Sequence, residues 1–278
     1  QLFEILKAVV LGIIEGITEW LPISSTGHMI LADEFIKMDV SKAFKDMFLV
    51  VIQLGAILAV VVLFWEKLFP FTYRKNRGVL IKRDTMSLWG KVLVAVLPAA
   101  IIGIPFDDWL NAVFYNYITV ACTLILYGVL FLWMENRNRR RQPTIGNFQQ
   151  LTYKHAALIG IFQILALIPG TSRSGATILG AMLIGCSRSV AAEFSFFLAV
   201  PVMAGASLLK LVKFGFAFTG TEAAILLIGM AVAFLVSMAA IKFLMNFIRK
   251  HDFKPFGWYR IILGVLVLLY FIPQMLMA

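Results

Sequence analysis

Gly12-Ile-Ile-Glu15-Gly-Ile-Thr-Glu19-Trp-Leu-Pro22-Ile-Ser24-Ser25-Thr26-Gly27-His28 is apolar enough to lie in a lipid bilayer, yet it holds two acids, a proline and a histidine. A later stretch, Pro169-Gly170-Thr171-Ser172-Arg173-Ser174-Gly175-Ala176-Thr177, has the same character with an arginine as its charge. A charged side chain at membrane depth costs at least ~2.5–3.5 kcal/mol on insertion scales, so such residues usually face a polar cavity and act there. Breaks made by proline, glycine and hydroxyl residues are tolerated at that depth only where protein or a watery cavity covers the freed backbone groups. How the chain accommodates these two breaks decides its fold.

The surrounding composition is that of a membrane protein. Of 278 residues, 61% are hydrophobic and only 14% charged, where a soluble domain carries about 25%. The apolar stretches are long and lack the ~10-residue alternation of an outer-membrane barrel, which predicts an all-α integral membrane protein. The net charge of +10 reflects Lys and Arg gathered in cytoplasmic loops, and no nucleic-acid partner is expected. Cys122 and Cys186 sit singly in apolar segments without metal-type spacing and read as packing residues. No cleavable signal peptide is expected, because the N-terminal apolar stretch carries Glu15 and Glu19 and no small-residue cleavage pattern.

Six stretches, near 44–66, 88–106, 117–134, 188–212, 222–248 and 258–276, are long enough to cross a bilayer. Regions 2–36 and 153–185 are broken in the middle, and each half is short for a ~30 Å hydrocarbon core, so both read as re-entrant helical hairpins. The alternative, two short crossings each, leaves the topology parity unchanged. Basic residues crowd three connections: Lys67 to Arg83, Arg137 to Lys154, and Arg249 to Lys254. The connection with Asp107 and Asp108 carries no cation. With the basic loops cytoplasmic, both termini lie outside, the first hairpin enters from outside and the second from the cytoplasm. Lys210 and Lys213 oppose this mildly and are outweighed.

An internal repeat fits the same scheme. At an offset of 148, Gly12 meets Gly160, Glu15 meets Gln163, Ser24 meets Ser172, Ser25 meets Arg173 and Gly27 meets Gly175. At 150, Phe44, Val50, Gly55 and Leu58 meet Phe194, Val200, Gly205 and Leu208. Three spans separate the hairpins, so the copies are inverted, and repeats of that kind place a polar site where their broken helices meet. The chain thus reads as one membrane domain over 1–278. Its first inverted repeat covers 1–134 and its second 153–278, with a basic cytoplasmic connection at 135–152.

The chemistry follows from the residue types. Glu15 and Glu19, four apart on one helix face, repel unless a proton or cation lies between them. A divalent cation, Mg²⁺ or Ca²⁺, with positions left for phosphate or water, is the natural partner; hydration of both acids at the interface is the alternative. Ser24, Ser25, Thr26 and Gly27 open a helix after Pro22, and free N–H groups at a helix start bind anions. His28, three beyond Ser25, is placed to meet it, which suggests a nucleophile with its acid/base. Ser172, Arg173 and Ser174 form a second such start, where the guanidinium would grip phosphate, and Thr177 adds a hydroxyl. A plain ion pair of Arg173 with Glu15 or Glu19 is the alternative. Gln53 reads as a helix–helix hydrogen bonder or a wall of the site. Glu193 is expected to pair with Arg188 or cap its helix, and His155 and His251 to be solvated.

Both strings, with Val-Val-Ile-Gln53-Leu-Gly and Glu193-Phe-Ser-Phe, resemble the bacterial undecaprenyl-diphosphate phosphatases of the bacitracin-resistance type nearly end to end. The resemblance implies removal of the terminal phosphate from a polyprenyl diphosphate lipid, a divalent-metal requirement, and a multi-pass protein of the plasma membrane whose site faces the extracytoplasmic side. It makes Glu15 and Glu19 metal-associated, Ser25 and His28 catalytic, and Arg173 diphosphate-binding. Ser25 is favoured as nucleophile or phosphate-side hydroxyl and His28 as acid/base. The other large family of membrane lipid phosphatases carries a Lys-x6-Arg-Pro motif that is absent from this sequence. A secondary transporter or lipid flippase is the competing class, since inverted repeats suit it, but transport needs no serine and histidine beside two acids. Pattern alone does not give the oligomeric state; a homodimer is compatible with it.

Overall fold

A computed structural model describes residues 2–74, 78–215 and 217–277. Six apolar segments are long enough to span a bilayer: Lys42–Leu63, Arg83–Phe106, Tyr117–Asn138, Arg188–Phe214, Gly220–Ile248 and Lys254–Pro273. Each overlaps its expected range along most of its length, and the protein is a multi-pass helical membrane protein. In chain order the helices are α1 (Leu2–Thr18), α2 (Ser25–Phe35), α3 (Lys42–Val51), α4 (Gln53–Leu63), α5 (Trp65–Leu68), α6 (Arg83–Phe114), α7 (Tyr117–Asn138), α8 (Tyr153–Ile164), α9 (Arg173–Leu183), α10 (Arg188–Phe214), α11 (Gly220–Ile248) and α12 (Lys254–Met277). The regions read as broken are broken. Thr18 and Ser25 bound the first gap, and a 3₁₀ turn, Leu165–Leu167, opens the second. One feature has no forerunner in the sequence reading: an antiparallel ribbon of β1 (Phe71–Arg74) and β2 (Gly78–Ile81) within a basic connection.

Local chemistry sets the helix ends. Ser41, Asn116, Thr152, Ser187 and Thr219 each accept a backbone N–H from the first turn of the helix that follows, and Thr152 and Thr219 complete capping boxes with His155 and Glu222. His155, expected to be merely solvated, therefore has a structural role. Pro98, Pro105 and Pro201 lie inside α6 and α10, as spanning helices allow where neighbours re-satisfy the freed carbonyls.

Small residues decide which helices touch. A Cβ on Gly12 would lie 2.7 Å from the Gly229 carbonyl oxygen on α11, and one on Gly160 would lie 2.5 Å from that of Ala95 on α6. Close backbone approach of this kind drives helix association in lipid, where burial of apolar surface gives little. So α1 lies along α11, α8 along α6, and α7 along α12. Large apolar side chains such as Leu208, Val212, Leu227, Leu235, Ile262 and Leu269 point outward, as acyl chains require. The buried core, with Trp20, Phe131, Phe194, Phe196 and Phe197, surrounds the tips of both breaks, and Trp20 meets Phe196 edge-on at 5.3 Å. Cys186 is buried, and burial pushes its thiol up to about 12. Cys122, expected to pack internally, is exposed on α7.

Candidate active site

The two breaks have the same local geometry. Ser24 (φ 76°) and Ser172 (φ 71°) are the described non-glycine residues with positive φ, a conformation costing about 1–3 kcal/mol that is kept where surroundings enforce it. Each is the N-cap of the next helix: the Ser24 hydroxyl accepts the Gly27 N–H at 3.2 Å, and that of Ser172 accepts the Gly175 N–H at 3.1 Å. Pro22 and Pro169 precede them and cannot continue the earlier helices. Gly170 (φ 86°) admits no side chain, because a Cβ there would meet the Val120 carbonyl oxygen at 2.6 Å.

These starts put Ser25 and Arg173 first in α2 and α9, and one carboxylate touches both. Glu19 Oε1 accepts from Arg173 Nη2 at 2.9 Å and from Nε at 3.3 Å, while Oε2 accepts the Ser25 hydroxyl at 2.7 Å. Glu19 still belongs to the helical ladder of α1, its N–H donating to the Glu15 carbonyl at 3.0 Å, so the two acids keep their i, i+4 relation. The far side of Arg173 is held by the Ser195 carbonyl, which accepts Nη1 at 2.7 Å. Thr177 donates to Ser195 Oγ at 2.7 Å. Ser174 reaches across to the Glu19 carbonyl at 3.1 Å and lies 3.1 Å from Ser172 Oγ. Glu15 is buried beside Gln53, and its Oε1 has no hydrogen-bond partner. Thr26 is half-buried and enters none of these contacts.

Ser25 and His28 do not bond to each other, although three residues separate them. Ser25 turns toward Glu19. His28 Nδ1 donates to the Ser24 carbonyl at 2.7 Å, and since a carbonyl only accepts, the neutral ring leaves Nε2 to accept the Tyr259 hydroxyl at 2.7 Å. The Tyr259 ring stacks on the imidazole with centroids 5.6 Å apart. Glu193 also departs from expectation: it pairs with Lys67 at 2.5 Å, while Arg188 pairs with Glu135 at 2.5 Å.

Arg260 on α12 went unnoticed in the sequence. It is fully buried, and its guanidinium donates to the carbonyls of Pro22 (3.0 Å), Gly170 (2.7 Å) and Thr171 (2.8 Å), tying the tip of one break to the tip of the other. Its sequence signal was partial: an arginine in an apolar span, but near the start of the run, where such a side chain can reach the headgroups. Tyr259 and Ser195 carried no comparable mark.

The donors converging here are two carboxylates, the Ser25 hydroxyl, the Gln53 amide, a guanidinium and two helix starts. Among the described residues no group of three or more His, Cys, Asp or Glu forms, so an oxygen-loving cation would have to complete its shell with phosphate and water. The unpartnered Glu15 oxygen in a buried site fits such a cation. Helix starts and an arginine fit a phosphate.

This chain has close relatives. The family model described as bacitracin resistance protein BacA matches residues 8–266. The undecaprenyl-diphosphatase of Acetivibrio thermocellus is 68% identical over 271 residues, covering 98% of this chain and 99% of the relative. Those of Desulfitobacterium hafniense and Enterococcus faecalis are each 64% identical, covering 97% and 96% of both chains respectively. The chain belongs to the bacitracin resistance protein BacA family.

Proposed function

We propose that this protein hydrolyses undecaprenyl diphosphate to undecaprenyl phosphate and inorganic phosphate, recycling the lipid carrier of cell-wall synthesis. The relatives' names supply the substrate, and one observation supplies the chemistry: the Glu19 carboxylate joins the first residues of two helices that start at separate breaks. Helix starts carry partial positive charge and free N–H groups, so a diphosphate entering between them meets Arg173 and both starts together. In the resting state Glu19 holds Arg173 and Ser25 ready; the incoming phosphate oxygens take over the guanidinium.

Ser25 Oγ then attacks the terminal phosphorus and passes its proton to Glu19. The bond from that phosphorus to the bridging oxygen breaks with its electron pair staying on undecaprenyl phosphate. Undecaprenyl phosphate leaves, and water cleaves the phosphoserine to free inorganic phosphate. In this second step the Nε2 lone pair of His28, oriented by the Ser24 carbonyl and Tyr259, takes a proton from the attacking water, and Glu19 returns its proton to Ser25 Oγ. Ser24, Gly27 and Ser172 hold the two starts in shape, Ser174 and Thr177 lock them to Glu19 and Ser195, and Thr26 borders the phosphate. A divalent cation, Mg²⁺ or Ca²⁺, would be held by Glu15 and Glu19 with Gln53 beside them, and would supply neutralisation of the diphosphate charge.

The architecture that fits is a pair of re-entrant hairpins, α1–α2 and α8–α9, in an inverted-topology repeat. Paired φ values at Ser24 and Ser172 support it. So does the exchange of partners, α1 on α11 against α8 on α6. With the basic connections cytoplasmic, the site opens to the extracytoplasmic side, and the polyprenyl tail stays in lipid. The test is phosphate release from undecaprenyl diphosphate by purified protein with Mg²⁺. Arg173→Ala and His28→Ala should each lose about 10²–10³-fold in turnover; full turnover in both would refute the site.

A further inference from the structure

At the end of α9 remote from Arg173 there is a cavity of about 300 Å³, walled by the last turn of α7, the chain that follows it and the start of α10. Three arginines line it, Arg137, Arg141 and Arg188, and no carboxylate does. The Arg188 charge is met from behind: Glu135 accepts its Nε at 2.9 Å and Nη2 at 2.5 Å, and also accepts the Phe253 N–H at 3.0 Å. Arg137 and Arg141 enter no ion pair among the described residues. Arg137 bonds to Asn138 Oδ1 at 3.3 Å, with its guanidinium 5.9 Å over the Trp133 ring.

Basic residues gather on one side of a membrane whatever they bind, but they normally spread into water. Here two guanidiniums without a carboxylate partner, Arg137 half-buried and Arg141 exposed, share the wall of one cavity, and an anion between them would relieve their repulsion. The wall is fixed in place. Thr144 and Ile145 donate N–H groups to the Gly185 carbonyl at 3.0 Å each, and the Ser187 N–H returns to the Ile145 carbonyl at 2.9 Å. The nearby thiol of Cys186 stays protonated, and no His, Asp or Glu faces the cavity, which leaves a cation nothing to bind. Guanidinium forks match phosphate oxygens two at a time. Trp133 is exposed on the outer face of α7, the setting of an aromatic at the lipid headgroup level.

We propose that this cavity binds a phosphate monoester or diester at a site separate from the Glu19–Arg173 centre, about 15 Å away along α9. A lipid headgroup and free phosphate share that chemistry, and two arms tell them apart. One measures inorganic phosphate binding to the full-length protein in zwitterionic detergent by calorimetry. The other measures phosphatidylglycerol retained by native mass spectrometry from nanodiscs of phosphatidylcholine with and without phosphatidylglycerol. The variants are Arg137→Gln/Arg141→Gln and, as a control of equal charge loss outside the cavity, Arg139→Gln/Arg140→Gln. The first should weaken binding about tenfold or more in at least one arm, the control about twofold at most, and phosphate release from undecaprenyl diphosphate should persist in both. Retention in the lipid arm alone identifies a headgroup; binding in both arms means free phosphate also enters. Binding in the phosphate arm alone identifies free phosphate; equal losses in the two variants, or no binding by the parent in either arm, would overturn the proposal. If the double variant fails to fold, Arg141→Gln on the exposed loop is judged by the same criteria.

Discussion

Replacing Arg260 by methionine keeps an unbranched apolar stem and removes the guanidinium that donates to backbone carbonyls of both tips at once. Three buried carbonyls, those of Pro22, Gly170 and Thr171, lose their donor. An unsatisfied buried polar group costs about 1–3 kcal/mol. Partial relaxation places the total near the figure for breaking a buried charged contact, about 3–5 kcal/mol. The larger effect is on rate. Arg260 fixes the tip that leads to Ser25 against the tip that leads to Arg173, and a misplacement of about 1 Å between reacting groups costs about 10²-fold. In detergent the Arg260→Met protein should melt earlier, and its kcat for phosphate release should fall about 10²-fold with a smaller change in KM, since every bonded guanidinium nitrogen is spent on backbone. Arg260→Lys, with shorter reach and one centre of charge, should fall in between. A folded Arg260→Met protein with the parent kcat would refute the tie between tips.

Other outcomes follow from the same geometry. Gly175→Ala puts a methyl carbon 2.8 Å from Arg260 Nη1 and should reproduce part of the Arg260→Met loss in kcat; the parent rate would count against the contact. Ser24→Ala and Ser172→Ala should each lower stability by about 0.5–2 kcal/mol in thermal unfolding, while Ser→Gly at either position, which suits a positive φ, should cost only a few tenths. Glu15→Gln should raise the Mg²⁺ concentration for half-maximal phosphate release about tenfold or more, and an unchanged metal titration would remove Glu15 from the cation site. Gly12→Leu and Gly160→Leu, each forced against a backbone carbonyl, should abolish the folded yield seen by size-exclusion chromatography.

The spans were legible because hydrophobicity over some twenty residues is a strong signal. Both breaks were legible because Pro22, Pro169 and the hydroxyl runs interrupt it. The meeting of Glu19 with Arg173 could be anticipated from charge alone, since neither can stay unpaired at depth. Contacts that depend on side-chain direction were not legible. Helical spacing puts Ser25 and His28 on one face but does not say that Ser25 turns back to Glu19. Arg260 lies near the start of its apolar run, where an arginine is expected to snorkel to the headgroups; only the packed structure shows it turned inward. Glu193 and Arg188 each had an obvious partner in the other, yet Lys67 and Glu135, remote in sequence, lie closer.

A double-mutant cycle on phosphate release tests most directly whether the two breaks form one catalytic unit. Glu19→Gln, Arg173→Gln and the double variant are compared for kcat with undecaprenyl diphosphate. If one carboxylate serves both helix starts, the double variant should lose little more than the worse single one, a coupling of at least about 1.5 kcal/mol. Losses that simply multiply would mean that Glu19 and Arg173 act independently, contradicting the shared site.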